Sequence, residues 1–129
     1  MSFKYLVDTD VLIWYFRGNE NARNLLKSIN FSISLITYLE LIQGVRNKEE
    51  LREIQRFVRE WSIDIIYLNS EISLRAQFLV EEFCLSHAMR FPDALIASTA
   101  LNNGFILVSA NDKHYKFINN LDLKIFRKS

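Results

Sequence analysis

Five short apolar runs rich in β-branched and aromatic residues are separated along the whole chain by stretches of helical periodicity. The runs are Phe3–Val7, Phe31–Ile36, Asp64–Leu68, Phe105–Ser109 and Leu123–Phe126. Between them, Thr9 is placed to cap a helix through Phe16, and Glu20–Asn30 shows an apolar face of Ala22, Leu25, Leu26 and Ile29. Thr37 and Glu40 form a capping-box pattern for a helix over Tyr38–Val45. Asn47–Trp61 is amphipathic, Asn69-Ser70 opens a long helix to about His87, and Pro92 suits the first position of another that Asn102-Asn103-Gly104 stops. A loop from Ala110 to Tyr115 enters a short helix before the last run. The order β-α-α-β-α-α-β-α-α-β-α-β predicts an α/β fold with a central, mostly parallel β-sheet flanked by helices on both faces.

The 129 residues suit one domain with a single good core. One cysteine, Cys84, excludes an internal disulfide framework and any CxxC metal site; it is expected to be a small core residue on a helix. No apolar run approaches the roughly 20 residues that a spanning helix needs, and the first run lacks the flanks of a signal peptide. A cytoplasmic, membrane-free protein is therefore expected. Three glycines offer no phosphate cradle of the glycine-rich kind.

The chemistry concentrates where strands feed helices. The first run ends in Asp8-Thr9-Asp10, and in open α/β sheets ligands bind beyond the carboxyl ends of the strands. Glu40 is an ordinary cap in one reading; in the other it shares that sheet edge with Asp8. Asp93 opens an otherwise small and apolar helix, Ala94–Leu101, where an acid is harder to explain as surface decoration. Asn111 or Asp112 follows a strand and could add a fourth oxygen. Carboxylates crowded at one spot repel unless a cation neutralises them. Oxygen donors suit Mg²⁺ or Mn²⁺, and such an ion serves phosphodiester hydrolysis.

Four stretches carry a resemblance. Leu6-Val7-Asp8-Thr9-Asp10-Val11-Leu12, Thr37-Tyr38-Leu39-Glu40, Pro92-Asp93-Ala94-Leu95 and Leu107-Val108-Ser109-Ala110-Asn111 occur in the order seen in PIN-domain proteins, and size and spacing resemble the VapC ribonuclease toxins of type II toxin–antitoxin pairs. The resemblance implies a PIN-like fold and a Mg²⁺- or Mn²⁺-dependent endoribonuclease. Asp8, Glu40 and Asp93 match the family's metal-binding acids, and Thr9 and Ser109 its supporting hydroxyls. It also implies structured RNA as substrate, a VapB-like antitoxin whose tail covers the active site, and a homodimer. Two positions depart from the pattern. Asp10 stands where Asn is frequent, and Asn111 takes the fourth acidic place. Asn111 is expected to point into the site and Asp112 to cap the following short helix.

Two other readings stay open at this level. A catalytically degenerate PIN domain would act only as a partner-binding module; Asn111 favours it, and three intact acids oppose it. Asp8-Thr9-Asp10-Val11 also looks like the nucleophile motif of haloacid-dehalogenase-type phosphatases, but no later strand ends in paired acids. RNA contact would run chiefly to phosphate through Arg17, Lys48, Arg52, Lys113 and Lys116. His114 is a surface residue in one reading and a substrate contact in the other. The seam Leu51, Ile54, Val58 and Trp61 could face the core or a second subunit, and it is the basis in the residues themselves for expecting a dimer.

Overall fold

The computed structural model describes residues 3–129. Five strands, β1 (Tyr5–Val7), β2 (Phe31–Ser34), β3 (Asp64–Ile66), β4 (Ile106–Ser109) and β5 (Leu123–Ile125), form a sheet in the order β3-β2-β1-β4-β5. Every pairing is parallel, with Leu6 opposite both Ser32 and Leu107, Ile33 opposite Ile65 and Val108 opposite Lys124. Six helices connect them: α1 (Thr9–Phe16), α2 (Glu20–Ser28), α3 (Leu35–Gln43), α4 (Lys48–Glu60), α5 (Ser70–Phe83) and α6 (Phe91–Asn103). None of these helices is long and apolar enough to cross a membrane.

β1 lies at the centre, and its successive side chains enter different cores, as strand pleating requires. Val7 packs with Val11, Leu12, Leu26, Ile54 and Phe57 on one face of the sheet. Leu6 packs with Leu79, Ala94, Ala97, Ala100 and Leu107 on the other. In α6, six residues are buried, Ala94, Ile96, Ala97, Ser98, Thr99 and Ala100, and small side chains let it lie close against α5 and the sheet. Gly104 ends it at φ 66°, a left-handed position where its N–H reaches the Ala100 and Leu101 carbonyls. Pro92 occupies the second position of α6 rather than the first, because the helix opens one residue earlier, at Phe91.

Packing settles one open reading and corrects three expectations. Trp61 and Val58 lie against the core that contains Ile54, and the Trp61 ring meets Phe57 at 5.0 Å and Tyr15 at 5.5 Å. The seam therefore faces the core, and Tyr15, Phe16, Phe57 and Trp61 form an aromatic layer there. Cys84 is exposed at the end of α5, on the side turned from the core. The Thr9 cap is displaced by Asp8, whose carboxylate accepts from the Thr9 N–H at 2.8 Å. The capping box of Thr37 and Glu40 does not form either. α3 starts three residues after the strand's Ser32, at Leu35, with Ser34 as its cap; Thr37 is buried inside the helix.

Candidate active site

The strand order places the switch point of the fold between β1 and β4. From β1 the chain crosses to β2 and β3 on one side, while β4 and β5 lie on the other. Helices diverge from such a point and leave a crevice at the strands' carboxyl ends. Val7 and Val108 are register partners. The residues just beyond them, Asp8 to Asp10 and Ser109 to Asn111, consequently meet.

Asp8 is 6 % exposed. One carboxylate oxygen accepts from Thr9 N–H, and the other accepts from the Ser109 hydroxyl at 2.8 Å. Burial first, and then the negative charge of Asp10, push the Asp8 carboxyl up from 3.8 to about 7. The charge of Asp93 adds to the rise, while the bonds from Ser109 and Thr9 oppose it. Asp10 is also raised, chiefly by burial. Its Oδ2 accepts from Ala110 N–H and from Asn111 Nδ2, each at 3.1 Å. Its Oδ1 is shut from solvent and makes no well-formed hydrogen bond, although the Val11 N–H lies close enough to the carboxylate to favour its ionised form.

Asp93 lies in the first turn of α6. Tyr115 Oη donates to one of its oxygens at 3.2 Å, and His114 Nδ1 stands 3.1 Å from the other. The Tyr115 side chain is fully buried, and its hydroxyl pKa is driven far upward by burial and by the charges of Asp8 and Asp93. It therefore stays a proton donor. Glu40 is exposed on α3 and is joined to this group through Thr9, whose hydroxyl donates to Glu40 Oε1 at 2.7 Å. That hydroxyl has one proton, so Thr37, 3.1 Å away, is the donor to Thr9.

Asp8, Asp10 and Asp93 thus share one electrostatic neighbourhood, with Glu40 at its rim. Among the described residues no three acidic, histidine or cysteine side chains converge closely enough to enclose an ion as they stand. The donor set is nevertheless all oxygen and carries surplus negative charge. That chemistry fits Mg²⁺, which keeps several waters and takes one or two carboxylates rather than a full protein cage.

A PIN domain family model matches residues 5–120. The chain belongs to the PIN domain family. It is similar to Ribonuclease VapC1 of Methanocaldococcus jannaschii, with 31% identity over 127 residues, 97% of this chain and 88% of that protein. Ribonuclease VapC10 of Mycobacterium tuberculosis is 32% identical over 121 residues, 90% of this chain and 89% of its own length. Among solved structures, a toxin-antitoxin complex from Klebsiella pneumoniae aligns with a TM-score of 0.74 and 29% identity, over 91% of this chain and 94% of that one. VapBC2 from Rickettsia felis, bound to a DNA fragment from its promoter, shares the fold with a TM-score of 0.81 at 24% identity, over 97% of this chain and 100% of that one. Family membership displaces the phosphatase alternative.

In this PIN domain, Asn111 is exposed and meets the site through its amide donor. Asp112 opens a single 3-10 turn, Asp112–His114. It serves that turn with its carbonyl, which accepts from Tyr115 N–H at 3.0 Å and Lys116 N–H at 2.8 Å, rather than by the expected side-chain cap. Tyr115 was not visible as a site residue in the sequence. A lone tyrosine after a loop carries no spacing signal, and only the packing of that loop against α6 brings it to Asp93. Beside Glu40, a groove of about 480 Å³ is lined by apolar Ile13, Leu41 and Ile54 and by charged Arg17, Arg46, Glu50 and Glu53, with Arg46 paired to Glu50 at 2.8 Å. Lys113 and Lys116 are exposed on the loop that carries His114, and Lys48 and Arg52 are exposed on α4.

Proposed function

We propose that this PIN domain is a Mg²⁺- or Mn²⁺-dependent endoribonuclease that hydrolyses RNA phosphodiester bonds, and that it is the toxin of a VapBC-type pair in the cytoplasm. The observation that carries the reading is that Asp8 and Asp93 are both held by donors from β4 and the loop after it, Ser109 and Tyr115, in a chain whose relatives are named ribonucleases. Asp8, Glu40 and Asp93 would hold the ion, with Asn111 completing the site. A bound Mg²⁺ or Mn²⁺ supplies Lewis acidity at the scissile phosphate and a more acidic water.

The chain's own residues prepare that spot. Ser109 and the Thr9 N–H fix both oxygens of Asp8. Tyr115 and His114 fix those of Asp93, and Thr9 holds Glu40 toward the same edge. Holding acids in one orientation before substrate arrives removes reorganisation from the reaction. Exposed Lys113 and Lys116, on the loop that follows β4, and Arg17, on the groove beside Glu40, would meet the RNA backbone, a contact that weakens with salt. An antitoxin segment is the partner that suits the groove beside Glu40. Apolar side chains would seat on Ile13, Leu41 and Ile54, and charged ones would reach its rim. A homodimer would have to use a surface other than the α4 seam, such as the exposed Leu74 and Phe78 on α5.

The test is cleavage of a structured RNA by the purified chain with Mn²⁺, with and without chelator, beside Asp93→Asn. Metal-dependent cleavage that the variant loses while melting as the wild type does is the expected result. RNA left intact by the wild type at saturating Mn²⁺ would favour the partner-binding module instead.

A further inference from the structure

We propose that Trp14, Arg17 and Lys128 form an anchor for the RNA backbone beside the crevice, in which the indole seats two cations that take phosphates flanking the scissile one. The inference rests on the ribonuclease reading above and gives it a binding subsite outside the acidic cluster.

The anchor is built where β5 ends. The Phe126 N–H donates to the Ser109 carbonyl at 2.8 Å, so the chain leaves the sheet beside the residue whose hydroxyl holds Asp8. Phe126 is buried in the same core as Val11 and Leu12 of α1. Two residues span at most about 7 Å, and by Lys128 the chain has reached the turn between α1 and α2. There the Asn19 side-chain amide donates to the Lys128 carbonyl at 3.0 Å. Lys128 Nζ stands 4.6 Å from the centre of the Trp14 ring, and the Arg17 guanidinium carbon stands 5.5 Å from it. Both lie within the range of cation–π attraction. Arg17 also lines the groove beside Glu40, so the seat joins the crevice edge at Ser109 to that groove. Arg127, exposed between Phe126 and Lys128, adds a third positive charge.

Attachment of the tail does not by itself account for this arrangement. The buried Phe126 ring and the Asn19 bond already fix the backbone there. Among the described residues the ion pairs are Arg46 with Glu50 and His114 with Asp93, so neither Arg17 nor Lys128 is paired with a carboxylate. An aromatic face orders a cation and leaves its charge intact. The crevice is itself negative and opposes the approach of a polyanion. Affinity for RNA must therefore come from positive groups at its side, ordered before the strand arrives. Cations interleaved with an aromatic ring are the parts with which proteins track a nucleic-acid strand. An acidic peptide would meet the same charges, but a seat that begins at the end of β4 favours the molecule that has to lie across the crevice.

The experiment measures binding of a labelled RNA hairpin with single-stranded flanks across a salt series, in an Asp93→Asn parent so that the strand stays intact. Lys128→Gln, Arg17→Gln, their double variant and Lys27→Gln are compared, each with its melting curve. Lys27 is the control, exposed near the end of α2, which leads to the amino end of β2 on the opposite edge of the sheet. Each phosphate contact on a single strand contributes about 0.7 to the slope of log Kd against log salt. Lys128→Gln and Arg17→Gln should each lower the slope by about that much, which weakens binding about fivefold at 0.1 M salt relative to 1 M, and the double variant about 25-fold. Lys27→Gln should bind as the parent does. An unchanged slope in the double variant, or an equal fall in Lys27→Gln, overturns the anchor; the ribonuclease reading then stands if the wild type still cuts RNA with Mn²⁺. No RNA binding by the parent and no cleavage by the wild type overturn both. If the double variant binds RNA as the parent does but loses polyglutamate, the patch is a protein-docking surface and the proposal is overturned. Should a Lys128 variant melt lower, Arg17→Gln alone, outside the tail, decides by the same change of slope.

Discussion

Asp8→Asn should make the metal-free protein more stable, and the gain should depend on pH. Asp8 is carried into the fold beside Asp10, and its carboxyl rises from 3.8 to about 7. In the unfolded chain it ionises at its ordinary value. The folded form therefore holds the proton more tightly, so stability from this group is fully present at low pH and is lost as pH rises from about 4 to about 7. Above that, the full cost of an ionised Asp8 remains. At roughly 1.4 kcal/mol for each tenfold change in proton affinity, that cost is on the order of 4 kcal/mol at pH 8. Asparagine avoids the charge and keeps the cap on Thr9 N–H, since Asn and Asp are near-equal caps. Its amide must donate to Ser109, whose hydroxyl then turns away, a rearrangement worth about 1 kcal/mol. A net gain of about 2 to 3 kcal/mol follows, seen as a urea midpoint raised by roughly 1 M or more in chelator at pH 8. At pH 5 the difference should largely close. Equal midpoints at pH 8, or a gap of the same size at both pH values, would refute the claim that Asp8 is held ionised at a cost.

Two further substitutions test the frame around the site. Trp61→Glu should lower stability by about 3 kcal/mol or more, because it empties a ring position against Phe57, Tyr15 and Phe31 and turns a charge toward the core; a variant that melts normally but changes its sedimentation would put the seam at a subunit interface after all. Gly104→Ala should cost about 1 kcal/mol in thermal unfolding, because φ 66° strains any residue with a Cβ even though nothing lies within 4 Å of where that atom would sit. Gly104→Asn should cost less, and equal melting for all three chains would show that the left-handed cap carries no strain.

What could be read from the sequence was set by periodicity and by strand ends. Apolar runs of four to six residues flanked by helical patterns specify a parallel sheet, and Asp8, Asp93 and Asn111 follow from being the first polar residues after β1, opening α6 and after β4. Helix starts were harder. Thr9 and Thr37 both have the chemistry of a cap, yet Asp8 and Ser34, one and three residues earlier, take the role, because the chain leaves the strand sooner than propensity alone indicates. The two threonines then serve another purpose, linked to each other and to Glu40. The α4 seam was undecidable from spacing, since a core and a second subunit ask for the same apolar stripe; Phe57, between the heptad positions, is the residue that points it inward. Tyr115 and the Asp10–Asn111 bond were out of reach because they join residues 22 and 101 positions apart, with no local pattern to announce them.

The geometry also explains why the acids tolerate one another. Each is fixed by a donor from a different element: Asp8 by Ser109 of β4, Asp10 by the loop after it, Asp93 by Tyr115, and Glu40 by Thr9 of α1. None of these donors is a lysine or an arginine. Neutral donors orient a carboxylate without cancelling its charge, so the crevice keeps a negative field that a paired cationic side chain would have quenched. The His114 ring nitrogen that stands 3.1 Å from Asp93 belongs to a half-exposed side chain. A fold that only needed these acids for structure would be better served by ion pairs or by amides at the same positions. At the switch point Asp8 is buried, Asp10 and Asp93 are half-buried and Glu40 is exposed, and the donors that hold them are neutral, so the negative charge of the crevice is oriented rather than paired.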